Sequence, residues 1–226
     1  MKSIVKGIIS WINSLLFLGS SGVKSKRTSF YLTRIKCTSP NKLNFLDSNI
    51  SNSRFNISGN GNIIQLLSVD IRDSKIIVEG LNNKISLAKG VYLNNTTVVL
   101  RGNNCTLTIG SGTAIGGIRI INAGTDNTVS IGNNCLFADN IELWASDTHS
   151  ILNEKNEIVN KEKPVIIGDR VWIGGHVIIL KGVTINNDSI VGMGTIVTKD
   201  VPQKTISVGS PNRIVKEKVT WKLDYK

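Results

Sequence analysis

From Ile167 onward one large branched aliphatic recurs at every sixth position, through Ile173, Ile179, Ile185, Val191 and Val197. A helix would bring apolar residues back at three- and four-residue intervals and a half-buried strand at every second position, so neither explains this period. A second thread runs four residues behind the first, through Val171, Val177, Val183, Ser189, Thr195 and Val201, all small or β-branched. Gly or Asn follows most of the aliphatics. This describes short flat strands joined by tight corners, with one aliphatic pointing inward from each side of a triangular coil. Such a hexapeptide period predicts a parallel β-helix, in which each coil buries its apolar face only against its neighbours.

Upstream the chain repeats in a second register. Gly59-Asn60-Gly61-Asn62-Ile63-Ile64 is echoed by Gly80-Leu81-Asn82-Asn83-Lys84-Ile85, then by copies beginning at Gly102 and Gly124, with starts 21, 22 and 22 residues apart. Three hexads would take eighteen residues, so each upstream coil carries extra residues at one corner, where Asn and Gly suit left-handed backbone conformations. The solenoid is therefore expected to begin near residue 45 and to run to 212, after a lead-in at 1–44 and before a basic tail at 213–226 that reads as helical. Strict hexads at Ile131, Phe137 and Leu143 stop at Trp144 and resume only after Val165. The polar stretch 144–165 must loop out, and long loops on rigid scaffolds often carry function.

The net charge of +11 and a pI of about 9.7 call for polyanionic partners. Nucleic acid is disfavoured, because only 5% of residues are aromatic and no stacking motif or zinc spacing occurs. The phosphates of a small cofactor, or an anionic membrane surface, suit the charge better. Cys37, Cys105 and Cys135 are odd in number and lack metal-ligand spacing, which points to reduced, structural thiols in a cytoplasmic protein. Residues 1–20 are too interrupted by Ser10, Asn13 and Ser14 to span a bilayer. A signal peptide stays open as a reading; the preferred one is an amphipathic helix with Ile4, Ile8, Trp11, Ile12, Leu15 and Leu16 on one face, packed on the solenoid end or making peripheral contact with the inner face of a membrane.

Two histidines bound the search for a general base. His149 lies in the extruded loop, two residues after Asp147, and a histidine beside a carboxylate can be held in one tautomer and poised near neutrality. His176 lies among the regular hexads and reads as an outward-facing surface residue. Asp147 is either the group that orients His149 or a solvated turn residue. No nucleophile elbow and no Walker loop occurs.

The segments from Asp169 through Trp172-Ile173-Gly174-Gly175-His176, from Val191 to Pro202, and Gly209-Ser210-Pro211-Asn212-Arg213-Ile214 resemble the hexapeptide-repeat acyltransferases, in particular the galactoside and maltose O-acetyltransferases and those of capsule and O-antigen clusters. The resemblance is good over roughly residues 120–215. It implies a left-handed β-helix, a homotrimer with acetyl-CoA between neighbouring solenoids, and active sites built from two subunits. His149 would take the proton from an acceptor hydroxyl, and the Gly175 N–H would face the thioester carbonyl. Met193, where the family usually has Ala, would line the pantetheine groove, with Trp172 near the thiol end. Thr198, Lys199, Arg213 and Lys216 would meet the adenine and ribose phosphate. Asp126 falls in roughly the right coil for a sugar contact, though it also sits at a repeat corner where Asp is structurally favoured. Asn212 replaces the usual small residue of its motif, and the acceptor-contacting Asn of the galactoside enzymes has no counterpart that can be matched.

The expected function is acetyl transfer from acetyl-CoA to a hydroxyl of a saccharide, a surface polysaccharide or its precursor, with no metal. N-acetylation of an amino-sugar nucleotide or xenobiotic, and a non-catalytic β-helix scaffold, are the competing readings. A carbonic-anhydrase-like metal enzyme on this fold would need three histidine ligands, which two histidines per chain argue against.

Overall fold

The computed structural model of the chain describes residues 22–38 and 40–223. Every strand lies in one of three sheets, of eight, ten and eight strands, and successive coils contribute one strand to each in turn. The pairing is parallel throughout except at the C-terminal edge of the second sheet. The fold is thus the parallel β-helix that the six-residue period predicts. Ile167, Ile173 and Ile179 occupy the first, second and third sheets, and Ile185, Val191 and Val197 lie directly in register with them in the next coil. All six are buried and belong to one continuous core. One aliphatic per side per coil is what a triangular cross-section requires.

The solenoid begins earlier than the sequence pattern indicates. Val23–Lys26, Ser29–Tyr31 and Arg34–Cys37 already form a first coil, paired in parallel with Lys42–Leu46, Asn49–Ser51 and Arg54–Asn60. Its hexad pattern is diluted, since Phe30 is its one fully buried hydrophobic residue among several exposed Lys and Arg. Phe30, Phe45 and Phe55 come from the three different sheets and pack edge to face, with centroids 5.5 and 5.7 Å apart, so three aromatics fill the core at this end. The amphipathic helix and membrane contact expected for residues 1–20 lie outside the described residues.

The extra residues of the upstream coils lengthen the third sheet. Its strands there are Arg54–Asn60, Lys75–Leu81, Thr97–Asn103 and Ile118–Thr125. Near their ends Gly59, Gly80, Gly102 and Gly124 stack in register, with φ between 91° and 130°. A Cβ on Gly80 would lie 2.0 Å from the carbonyl oxygen of Gly102, so the backbones approach too closely for any other residue.

The polar corner that follows divides into two tasks. Asn82, Asn104 and Asp126 adopt the positive φ, at 55–56°. In the earlier coils the next position of this corner turns inward: Asn41 Oδ1 accepts from the Asn62 N–H, Asn62 Oδ1 from the Asn83 N–H, and Asn83 Oδ1 from the Cys105 N–H, each at 2.9 Å. These amides are buried, and Asn83 Nδ2 also donates to the Gly102 carbonyl at 2.9 Å.

The C-terminal tail is not helical over its described part. Thr205–Val208 adds the last parallel strand to the second sheet, and Arg213–Glu217 returns antiparallel along its edge. Pairing satisfies an exposed row of backbone groups that an isolated basic helix would have left open.

Asn83→Ala removes an acceptor from the buried Cys105 N–H and a donor from the half-buried Gly102 carbonyl at one corner. The expected loss is about 1–3 kcal/mol for each group left unsatisfied, seen as a lower thermal midpoint by circular dichroism, while Asn82→Gly, at a position that needs only the positive φ, should leave the midpoint nearly unchanged.

Candidate active site

The loop leaves the solenoid after Ile141–Trp144 and rejoins it at Val165–Ile167. Its exit is the corner that carries the glycine stack one coil upstream, and Glu162 packs over the last of those glycines, where a Cβ on Gly124 would lie 2.6 Å from Glu162 Cδ. The loop has its own order. Leu152 and Ile158 bridge antiparallel, and Asn153 Oδ1 accepts from the Lys155 and Glu157 N–H groups at 2.9 and 3.0 Å. Asn160 ties its two arms together: Oδ1 accepts from the Ile151 N–H at 2.7 Å, while Nδ2 donates to Asp147 Oδ2 and to the His149 carbonyl, both at 2.8 Å.

Lys181 fixes this unit to the solenoid. Its ammonium donates to Asp147 Oδ2, to the Asn160 carbonyl at 2.8 Å and to the Lys161 carbonyl at 3.2 Å. The carboxylate of Asp147 is therefore engaged by Lys181 and Asn160 and makes no hydrogen bond to His149. These hydrogen bonds give Asp147 the task of anchoring the loop. The Lys181 ammonium, seconded by Asn160 and opposed by partial burial, holds the Asp147 carboxyl below its ordinary range. His149 is exposed, with its main chain gripped by Asn160. Asn160 and Lys181 were not legible beforehand; the one signal is that Lys181 puts a charge at the end of the run Ile178-Ile179-Leu180.

The corner between the second and third sheets carries the next group. His176 has φ 59° and lies in register with Asn140, Asn95, Asp73, Asn52 and Leu32, all with positive φ, so it occupies a corner of the coil rather than a side. Histidine is among the residues enriched in that conformation. Gly174 and His176 both donate backbone hydrogen bonds, to Val191 and Asp139, whereas the Gly175 N–H makes none among the described residues. Asp139, which sequence reasoning overlooked, borders the same spot: a Cβ on Gly175 would lie 3.3 Å from Asp139 Oδ1. Met193, 73% exposed, sits one coil further on at this corner.

Thr198 and Lys199 lie at the far edge of the third sheet in the last coil, and buried Asn212 organises them. Its Oδ1 accepts from the Thr198 and Lys199 N–H groups at 2.9 and 3.1 Å, and its Nδ2 donates to the Lys199 carbonyl and Ser207 Oγ, each at 3.1 Å. The departure noted at Asn212 thus holds the turn beside exposed Arg213. Trp172 and Lys216 fall elsewhere, on the outer row of the second sheet that runs through Ile190 and Ile206. Trp172 packs against Trp221 with ring centroids 6.2 Å apart, and Trp221 Nε1 donates to the Arg170 carbonyl at 2.7 Å. Asp126 accepts from Asn104 Nδ2 at 2.8 Å within the corner ladder, which accounts for an acid there without a sugar. The structure therefore groups Gly175 with Met193, and Thr198 and Lys199 with Arg213, while Trp172 and Lys216 lie on another face. No three His, Cys, Asp or Glu side chains converge among the described residues.

A parallel β-helix with an ordered loop histidine and a spare corner N–H defines the class to which comparison can be made. The profile of the family described as "Hexapeptide repeat of succinyl-transferase" matches residues 164–199. The galactoside O-acetyltransferase of Escherichia coli (strain K12) is 43% identical over 87 residues, 38% of this chain and 42% of that protein. A putative acetyltransferase of Staphylococcus aureus (strain COL) is 42% identical over 71 residues, 31% of this chain and 36% of that protein. The chain thus spans about two fifths of the length of these curated relatives. Among solved structures, the polySia-specific acetyltransferase NeuO is similar over 92% of both chains, with 29% identity and a TM-score of 0.71. The polysialic acid O-acetyltransferase OatWY is similar over 89% of this chain and 92% of its own, with 27% identity and a TM-score of 0.55. Residues 164–199 carry the hexapeptide repeat, and the chain is similar in structure to two polysialic acid acetyltransferases over about nine tenths of its length.

If Lys181 and Asp147 anchor the loop, Lys181→Met should expose residues 145–164 to trypsin at neutral pH at a rate well above wild type, with the solenoid intact by circular dichroism. The pH dependence follows from the depressed carboxyl: the anchor is complete above the ordinary Asp pKa of about 3.9 and is lost as pH falls through the lower value of the folded state. Pepsin nicking of the loop should therefore rise only below about pH 4, and Asp147→Asn should nick at every pH tested.

Proposed function

We propose that this protein transfers an acetyl group from acetyl-CoA to a hydroxyl of a saccharide, with His149 as the general base. The observation that carries the reading is the loop itself: an exposed histidine on a segment clamped to the rigid coil by Lys181 and internally by Asn160. A base must reach the acceptor hydroxyl within hydrogen-bond distance and be held there, and a fastened loop on a solenoid meets both needs. The likeness to the polysialic acid acetyltransferases NeuO and OatWY, and to a galactoside O-acetyltransferase, supports a sugar hydroxyl as acceptor.

In this reading the acceptor oxygen loses its proton to the His149 imidazole as it attacks the thioester carbonyl. The Gly175 N–H donates to the carbonyl oxygen as negative charge grows there, a contribution of about 3–4 kcal/mol where such donors have been removed from other enzymes. The thiol departs with the proton returned from His149, so the base is regenerated. Exposed Lys199 and Arg213, on the turn fixed by Asn212, offer charge to the phosphates of the donor. Because Trp172 and Lys216 face away from Thr198, we assign the complete site to neighbouring copies in a homotrimer, each supplying part. Acetyl-CoA as donor favours the cytoplasmic side of the membrane.

His149→Ala should lower turnover by about two to four orders of magnitude with the acetyl-CoA KM little changed, measured by thiol release; turnover near wild type would remove His149 from the mechanism. Calorimetry should show saturable CoA binding that weakens with dephospho-CoA. Arg213→Ala should weaken CoA by about tenfold or more, the effect of losing one charged hydrogen bond, and bring it close to dephospho-CoA.

A further inference from the structure

We propose that the outer face of the third sheet, upstream of the loop, is a docking track for an extended carboxylated polysaccharide, so that the acceptor is an acidic polymer rather than a free sugar. The inference rests on the acetyltransferase reading for its chemistry but not for its geometry. Strand register aligns Arg34, Arg54, Lys75, Thr97 and Arg119 in one outward row, ending at Glu142. Four of these first five positions are cations, and all four are exposed. Arg27, Arg72, Arg101 and Arg170 each hold a carboxylate, yet Arg34, Arg54 and Lys75 form no ion pair among the described residues. The carboxylate bordering them, Asp73, accepts from Asn52. Rungs of a sheet lie about 4.8 Å apart, so the row spans about 19 Å.

Beside the cations runs a second row, Asn56, Ile77, Val99, Ile121 and Trp144, apolar in its last four positions. Shallow hollows border the cationic row at both ends, one among Arg34, Arg54 and Lys75 and one among Thr97, Arg119 and Glu142. Like charges stacked at successive rungs repel one another, and Arg34, Arg54 and Lys75 have no ion-pair partner among the described residues; a ligand with regularly spaced anionic groups offsets this repulsion. Ile121 is buried, and the half-buried Ile77, Val99 and Trp144 suit the C–H faces of sugar rings. Single-stranded nucleic acid would call for aromatic platforms along the track, and Trp144 is the one aromatic residue in either row. Trp144 stands at the end, with Arg119 5.4 Å over its ring and its Nε1 donating to Glu142 at 2.6 Å. The loop departs at the next residue, and Gly175 lies at the corner of the following coil, next to the residue in register with Asn140. A polymer lying on the track is thus delivered to the candidate site from one end.

The test is calorimetric titration of the full chain with polysialate and polygalacturonate of graded length, with dextran as the neutral control. Wild type should bind both acidic polymers, more tightly as length grows until the row is spanned, and should not bind dextran. Arg54→Gln with Lys75→Gln should weaken polymer binding about tenfold or more while CoA binding and the thermal midpoint stay at wild-type values. CoA binding without any polymer binding, or polymer binding indifferent to the double substitution, would overturn the track and leave the acetyltransferase reading standing. Polymer binding lost in the double variant, with no CoA binding in wild type, would uphold the track while that reading fails. Tighter binding of single-stranded DNA or phosphatidylserine vesicles than of either acidic polysaccharide, lost in the same variant, would also overturn it.

Discussion

A coil that turns three times in about twenty residues presents backbone donors and acceptors at every corner, and each must be satisfied where it stands. The buried amides of Asn41, Asn62 and Asn83 do so by passing one hydrogen bond from each coil to the next. At another corner Ser53 and Ser74 do the same with hydroxyls, each donating to the carbonyl two residues back and accepting the N–H of the residue stacked above. The aliphatic core fixes the cross-section, but these ladders fix the rise and register. Loop, corner N–H and cationic row depend on that register, because each is defined by which residues fall on the same rung.

Sequence periodicity revealed the parts of the fold that repeat apolar residues strictly, and little else. The hexads from Ile167 to Val197 could be read because one aliphatic per side has no other explanation. The coil at 23–37 escaped because its inward positions include few large aliphatics and its strands are rich in Lys and Arg. In the upstream copies Asn was rightly linked to corners, but the pattern could not separate Asn82, which takes the left-handed conformation, from Asn83, which turns inward to hydrogen-bond.

The candidate site was legible where it departs from the repeat and hidden where it obeys it. His149 stood out because no coil can absorb its surroundings. Lys181 and Asp139 occupy ordinary hexad positions, and only the folded arrangement brings one to Asp147 and the other to Gly175. Proximity in sequence does not disclose the ion-pair partner of Asp147, which lies thirty-four residues downstream. Asn212 carries the same lesson in the opposite direction: a departure from the family pattern turned out to be an internal brace for Thr198 and Lys199.

The antiparallel return of Arg213–Glu217 has a bearing on how the solenoid ends. A parallel solenoid is in principle endless, since its last coil offers the same edge as every coil before it, and two copies could continue one another into a fibre. On the second sheet that continuation is cut off. A strand of opposite direction, carrying Arg213, Lys216 and Glu217 on exposed positions, seals the edge with charge. Growth along the axis is thereby blocked on this sheet.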